Sequence, residues 1–299
     1  MALKHLSEFK QLLAGKPARR LVLAAAQDHN SLSSVLRAAN DGFIDPILVG
    51  KKEEIYNLAA QNNFDLTGVR VVHEPDSEMA IEIAVRMVRS NQADILMKGK
   101  VGTSNLLKGV LNKEWGLRSG ALLSHIAIFE VEAYHKLIAV TDVAMNIAPN
   151  LKDKISIVNN SVACLNKLGI KMPKVAVLGA VEMVSENMQA TLDAALLSKM
   201  NQRDQIRNCI IDGPLAFDNA ISFESARHKG IRSDVAGDTD LLVMPDIEVG
   251  NVLYKSLVFF ANAGVAAVIL GATAPIVLTS RSDSDHAKYY SIVLAAAIS

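Results

Sequence analysis

Short apolar runs alternate along the chain with stretches whose apolar positions recur every three to four residues. The runs predict strands and the stretches predict helices. After a leader helix, strand Leu21 to Ala25 precedes helix Ser31 to Asn40, Pro46 to Val49 precedes Lys52 to Gln61, and Val69 to Val72 precedes Ser77 to Ser90. Strand Asp94 to Met97 then leads into helix Thr103 to Leu111. The strands are apolar at consecutive rather than alternate positions, which predicts a mostly parallel sheet with helices on both faces.

The rhythm breaks once. Leu122 to Val131 and Lys136 to Val140 both read as strands with a short connector, so an antiparallel pair is expected. Past Ala148-Pro149-Asn150 the alternation resumes with helix Leu151 to Leu168, strand Val175 to Leu178, helix Glu186 to Met200, strand Cys209 to Ile211 and a helical stretch Asn219 to His228. It closes with strand Leu241 to Val243, helix Val249 to Ala261, strands Ala266 to Leu270 and Ile276 to Leu278, and a helix from Asp283. The fold class is α/β, and the break near Asn146 to Asn150 suggests a domain boundary.

Charge narrows the function classes. Lysine plus arginine and aspartate plus glutamate number 31 each, so neither nucleic acid nor an acidic membrane is attracted in general, and an anion must be held locally. The two cysteines, Cys164 and Cys209, lack the spacing of a disulfide framework or a zinc site, which fits a reducing cytoplasm. The first twenty residues lack the apolar core of a signal peptide, and no window reaches the length of a membrane span. HExxH, GxSxG and GxGxxG are absent.

In parallel sheets, ligands bind beyond the carboxyl ends of strands. Four such places carry unusual residues. In Thr279-Ser280-Arg281-Ser282-Asp283-Ser284-Asp285 a strand ends on hydroxyls, a guanidinium and two carboxylates just before a helix, a set able to hold an anion and move a proton. Capping of the helix by Ser282 or Asp283 accounts for it more simply. In Met244 to Leu257, Asp246 follows a strand, Gly250 offers backbone freedom, and Asn251 and Lys255 are four apart on one helix face. A Pro-Asp helix start explains that segment equally well.

In Met97 to Lys108, Gly99 and Gly102 would let backbone approach a ligand, Thr103 and Ser104 could cap the next helix, and Lys98, Lys100 and Lys108 add positive charge. The spacing is not that of a Walker A loop. In Ile210 to Ala220, Asp212 and Asp218 flank a Gly-Pro pair that turn chemistry explains. His125, inside an apolar run, reads as a satisfied core or wall residue rather than a metal ligand.

Taken in order, LMKGKVGTSNLLKGVLNKEWGLRSGALLSHIAIFEV, VTDVAMNIAPN, DGPLAFDNAIS, DLLVMPDIEVGNVLYKSL and LTSRSDS resemble the phosphate acetyl/butyryltransferase family. The specific part is P-D-x-x-x-G-N-x-x-Y-K with a later S-R. KEWGLR and LLSHIAIFE are closer to its butyryl branch. The resemblance implies two α/β domains around a cleft, as in isocitrate and isopropylmalate dehydrogenases, with the carboxyl-terminal segment returning to the first domain: residues 1–147 with 283–299, and 148–282.

It also implies reversible acyl transfer between coenzyme A and phosphate as substrates, no metal or redox cofactor, and at least a homodimer. Ser280 and Arg281 match the family's active-site pair, with Lys98, Gly99, Thr103, Lys108, Asp246, Asn251 and Lys255 as substrate-binding candidates. Two departures stand out. Ala287 occupies the position of the acetyltransferase aspartate that deprotonates the thiol, leaving Asp283 and Asp285 as nearby substitutes. Lys108 stands where those enzymes carry an arginine, keeping the charge and losing the bidentate fork. Transfer of an acetyl or branched acyl group, or binding without catalysis, are the alternatives.

Overall fold

The computed structural model describes residues 3–279 and 283–299. The chain opens with α1 (Glu8–Leu13), β1 (Arg19–Ala24), α2 (His29–Asn40), β2 (Ile44–Gly50), α3 (Lys52–Gln61) and β3 (Arg70–His73). Next come α4 (Ser77–Arg89), β4 (Ile95–Lys98), α5 (Thr103–Val110), β5 (Ser124–Glu130) and β6 (Ile138–Thr141). These are followed by α6 (Leu151–Lys167), β7 (Lys174–Leu178), α7 (Gln189–Gln202), β8 (Ile210–Leu215), α8 (Phe217–Ile221) and α9 (Phe223–His228). The chain ends with β9 (Leu241–Val243), α10 (Ile247–Phe259), β10 (Gly264–Leu270), β11 (Ile276–Val277) and α11 (Asp285–Ile298). Among the described residues no helix is long and apolar enough to cross a membrane.

Two compact units emerge: Ser7–Ala121 with Ala266–Ser299, and Met1–Leu6 with Leu122–Val265. The boundary expected at 147/148 and the return expected at 283 do not coincide with them. Strand pairing is the reason. β6 lies parallel to β9, with Ala139, Val140 and Thr141 opposite Leu241, Leu242 and Val243, which holds 122–147 with the later strands. β11 lies parallel to β4, with Ile276 and Val277 opposite Leu96 and Met97, which draws 266–279 to the earlier ones. The shift at Ala148 to Asn150 marks a helix start: Asn150 and Asp153 form a reciprocal capping box at the head of α6.

The unit containing 7–121 and 266–299 has strand order β3-β2-β1-β4-β11-β10, parallel except for β10 against β11. Leu21, Leu23, Leu96 and Met97 are fully buried in it, as consecutive apolar residues in a doubly covered sheet must be. α11 is buried throughout from Ala287 to Ile298 and packs on α1 and α2.

The other unit has the order β5-β6-β9-β7-β8, parallel except for β5 against β6. The expected antiparallel pair is present, with Ile126 opposite Thr141 and Phe129 opposite Ile138. Asp212-Gly213-Pro214 belongs to β8 rather than to a turn. β8 ends the strand order of this unit, where the missing proline N–H is tolerated. The stretch expected as one helix from Asn219 is two, because the Ser222 side chain caps α9 by accepting from the Ser225 N–H.

Candidate active site

Parallel pairing of β1, β4 and β11 delivers three strand exits to one edge: Ala24 lies opposite Lys98, and Met97 opposite Val277. Lys98, at the end of β4, is only 7% exposed, and its ammonium donates to the carbonyls of Gly99 at 3.3 Å and Val101 at 3.5 Å. This lysine is folded onto its own loop. Gly99 donates its N–H to the Ala24 carbonyl at 2.9 Å, and Lys100 donates to that of Ala25 at 2.8 Å. A β-carbon on Gly99 would fall 2.2 Å from the Ala25 oxygen, so the missing side chain is demanded by the exit of β1 rather than reserved for a ligand.

The cap position of α5 is Gly102, which offers no side-chain cap. Thr103 is the first helical residue instead of the cap the sequence suggests. Thr103, Ser104 and Asn105 are exposed, and their N–H groups have no hydrogen-bond partner among the described residues. Three such donors at the positive end of a helix dipole suit an anionic oxygen. Lys108 is exposed in the last turn. It shares a helix face with Ser104, four residues earlier, rather than with Thr103.

Ser280 and Arg281 lie outside the described residues. On one side of them Thr279 is buried. On the other, the helix cap is Ser284, which accepts from the Ala287 N–H at 3.1 Å; Asp283 does not take that role, and Ser282 lies outside the described residues. The buried Lys288 reaches back from the first turns of α11 to donate to the Asp283 carbonyl at 2.5 Å. Asp285 is exposed as the first helical residue. Ala287 is buried, as its apolar side chain requires.

In the other unit, Asp246 caps α10 by accepting from the Val249 N–H at 2.9 Å. Its carboxylate therefore serves the helix start. Gly250 is the buried residue of α10: a β-carbon there would lie 2.3 Å from the Asp142 carbonyl oxygen, so it provides a close approach rather than backbone freedom. Asn251 donates from Nδ2 to the Val143 carbonyl at 3.3 Å, and Lys255 is exposed one turn later.

Sequence reasoning missed Asp142. This carboxylate, 3% exposed, follows β6 and accepts from the N–H groups of Ala144 and Met145 at 2.9 Å each, from Asn146 Nδ2 at 2.6 Å and from the His125 N–H at 3.3 Å. An aspartate directly after a strand, with an asparagine four residues on, was its signal. His125 differs from the expected satisfied histidine. It is buried, the Asp142 carboxylate acts on it, and its Nδ1 has no hydrogen-bond partner among the described residues. Burial pulls its imidazole below the usual histidine range while Asp142 pulls the other way. Among the described residues no three His, Cys, Asp or Glu side chains gather as a metal ion would need.

The model of one family, described as phosphate acetyl/butaryl transferase, matches residues 76–296. The chain is 45% identical over 296 residues to the phosphate butyryltransferase of Clostridium acetobutylicum, covering 99% of this chain and 98% of that one. It is 41% identical to the phosphate acetyltransferase of Thermotoga maritima, over 97% of this chain and 98% of that one. A solved branched-chain phosphotransacylase from Enterococcus faecalis superposes with a TM-score of 0.83 at 34% identity, over 94% of this chain and 98% of its own. The chain therefore belongs to the phosphate acetyl/butyryl transferase family of acyltransferases.

Proposed function

We propose that the protein is a phosphate butyryltransferase, converting butyryl-CoA and phosphate reversibly into butyryl phosphate and CoA. The observation that carries this reading is the 45% identity to a phosphate butyryltransferase across 99% of the chain. In the forward direction a phosphate oxygen attacks the thioester carbonyl, the tetrahedral oxyanion collapses, the carbon–sulfur bond breaks and CoA thiolate leaves. The reverse reaction needs the thiol proton removed, and Asp283 or Asp285 would accept it. Arg281 would hold phosphate and offset the oxyanion charge while Ser280 donates a hydrogen bond.

The free N–H groups at the head of α5 support an anion subsite there, with Thr103 in its first turn and Lys108 adding charge from the last turn. Lys98, whose ammonium donates to the Gly99 and Val101 carbonyls, and Gly99, whose approach to the exit of β1 leaves no room for a side chain, would act by shaping that loop. In the other unit, Asn251 and Lys255 on one face of α10 beyond the Asp246 cap would also bind substrate. The reading calls for no metal or redox cofactor, because acyl transfer changes no oxidation state and the thioester carries its own leaving group.

The proposal extends to two α/β domains of the isocitrate and isopropylmalate dehydrogenase kind, to a cytoplasmic location and to a homo-oligomer. Self-association is supported by α10, which exposes Val249, Val252 and Phe259, with Phe260 beyond it 92% exposed.

The likeness to an acetyltransferase and to a branched-chain transacylase makes chain length the feature to test. One methylene in a pocket is worth only about 1–3 kcal/mol. Thiol release is measured with butyryl-, isobutyryl- and acetyl-CoA, with and without phosphate, for wild type and Arg281→Ala. Phosphate-dependent release that is fastest with butyryl-CoA and lost in the variant is expected. Faster release from another acyl-CoA overturns the chain-length assignment, and CoA binding without any release overturns catalysis.

A further inference from the structure

His125 stands near the start of β5 and is 6% exposed, yet its Nδ1 has no hydrogen-bond partner among the described residues. A buried polar nitrogen left unpaired is costly, so its retention calls for a group that meets it. The rest of the residue is held fast. Its N–H donates to Asp142 Oδ2 at 3.3 Å, and its carbonyl accepts from Thr141 Oγ1 at 3.0 Å. The ring sits edge-on to Tyr254 with centroids 6.4 Å apart, and Tyr254 meets Phe129 in the same manner at 5.4 Å.

Position adds to this. Because Ile126 pairs with Thr141, His125 lies at the sheet edge where β6 and β9 end and α10 begins, the edge at which parallel sheets bind ligands. Burial keeps the ring neutral, so Nδ1 offers a single donor or a single acceptor according to tautomer.

The surroundings select the chemistry of the partner. Among the described residues the charge acting on the ring is the Asp142 carboxylate, already held by Ala144, Met145 and Asn146. A phosphate dianion at Nδ1 would be set against that buried like charge, whereas an uncharged oxygen or amide would not. Tyr254 against the ring, with Phe129 behind it, makes these surroundings largely apolar, which likewise favours an uncharged group.

We propose that His125 Nδ1 binds substrate, hydrogen-bonding a neutral amide or carbonyl of acyl-CoA. The assignment rests on the acyl-transfer reading above. It is tested on the full-length protein carrying heavy-nitrogen histidine, with the His125 ring resonances identified by their loss in His125→Gln. CoA, butyryl-CoA and inorganic phosphate are added separately. A ring-nitrogen shift with CoA or butyryl-CoA and none with phosphate is expected; a response to CoA points to its amides, and a response to butyryl-CoA alone to the thioester carbonyl.

In parallel, His125→Phe is expected to raise KM for butyryl-CoA about tenfold with KM for phosphate little changed, and His125→Gln to recover most of the loss. No ring response to any of the three, or a response to phosphate alone, overturns the proposal without needing a variant that folds. Thiol release by the same wild-type sample separates the two levels. Release without a ring response refutes the His125 contact alone, and no release from any short acyl-CoA refutes the acyl-transfer reading.

Discussion

Gly250 of α10 rests directly on the main-chain carbonyl of Asp142: a β-carbon built on it would fall 2.3 Å from that oxygen and 3.0 Å from the Val143 α-carbon. Backbone atoms cannot swing aside as a flexible side chain can. Gly250→Ala is therefore expected to destabilise the protein by about 1–3 kcal/mol and to lower the denaturation midpoint without changing the denaturant slope. Because Asn251 bonds the adjacent Val143 carbonyl, turnover should fall as well. Unchanged stability would mean that α10 does not need this approach.

Lys154 of α6 and Asp193 of α7 form an ion pair at 2.6 Å with both side chains nearly inaccessible, and Gln189 Nε2 donates to the second carboxylate oxygen at 2.8 Å. Removing one partner strands a buried charge. Lys154→Met alone should cost about 3–5 kcal/mol, whereas Lys154→Met with Asp193→Leu should recover most of that loss. Chemical denaturation of the single and double variants provides the check, and additive losses would refute the pairing argument.

Asp238 is opposed by burial, but hydrogen bonds from Lys174 at 2.6 Å, Lys136 at 2.9 Å and His135 at 2.8 Å prevail and hold its carboxyl well below the usual carboxylate range. A depressed carboxylate stabilises the fold above its unfolded value and loses that contribution as pH falls through the folded one. Asp238→Asn should thus be less stable than wild type at neutral pH, and the difference should shrink below about pH 4. Melting temperatures across that range test it. A gap that stays constant with pH would point to lost packing instead.

Cys164 and Cys209 are both buried, which pushes their thiols up to about 12 and about 11. Since the thiolate is the reactive form, neither should react readily with a disulfide reagent at neutral pH in the native protein. Both should become titratable in guanidinium. Rapid stoichiometric labelling of the native chain would contradict their burial.

Local and periodic features were legible without the structure. Consecutive apolar residues marked β1, β4 and β9 as interior parallel strands, the short connector before Lys136 marked the antiparallel β5–β6 pair, and a Pro-Asp helix start foretold the Asp246 cap. Such features depend on neighbours within a few residues, which a sequence displays directly.

The sequence by itself determined the α/β class, the order of most elements and the family motif ending in Ser280-Arg281. Only the tertiary structure decided that residues 122–147 join the later strands and 266–279 the earlier ones, because partner choice between strands far apart in sequence leaves no local trace. It also decided that Gly99 and Gly250 answer to carbonyls of Ala25 and Asp142, and that His125 is buried with no partner for Nδ1 among the described residues. Those facts reside in distances between residues that folding alone brings together, and a residue's type does not carry them.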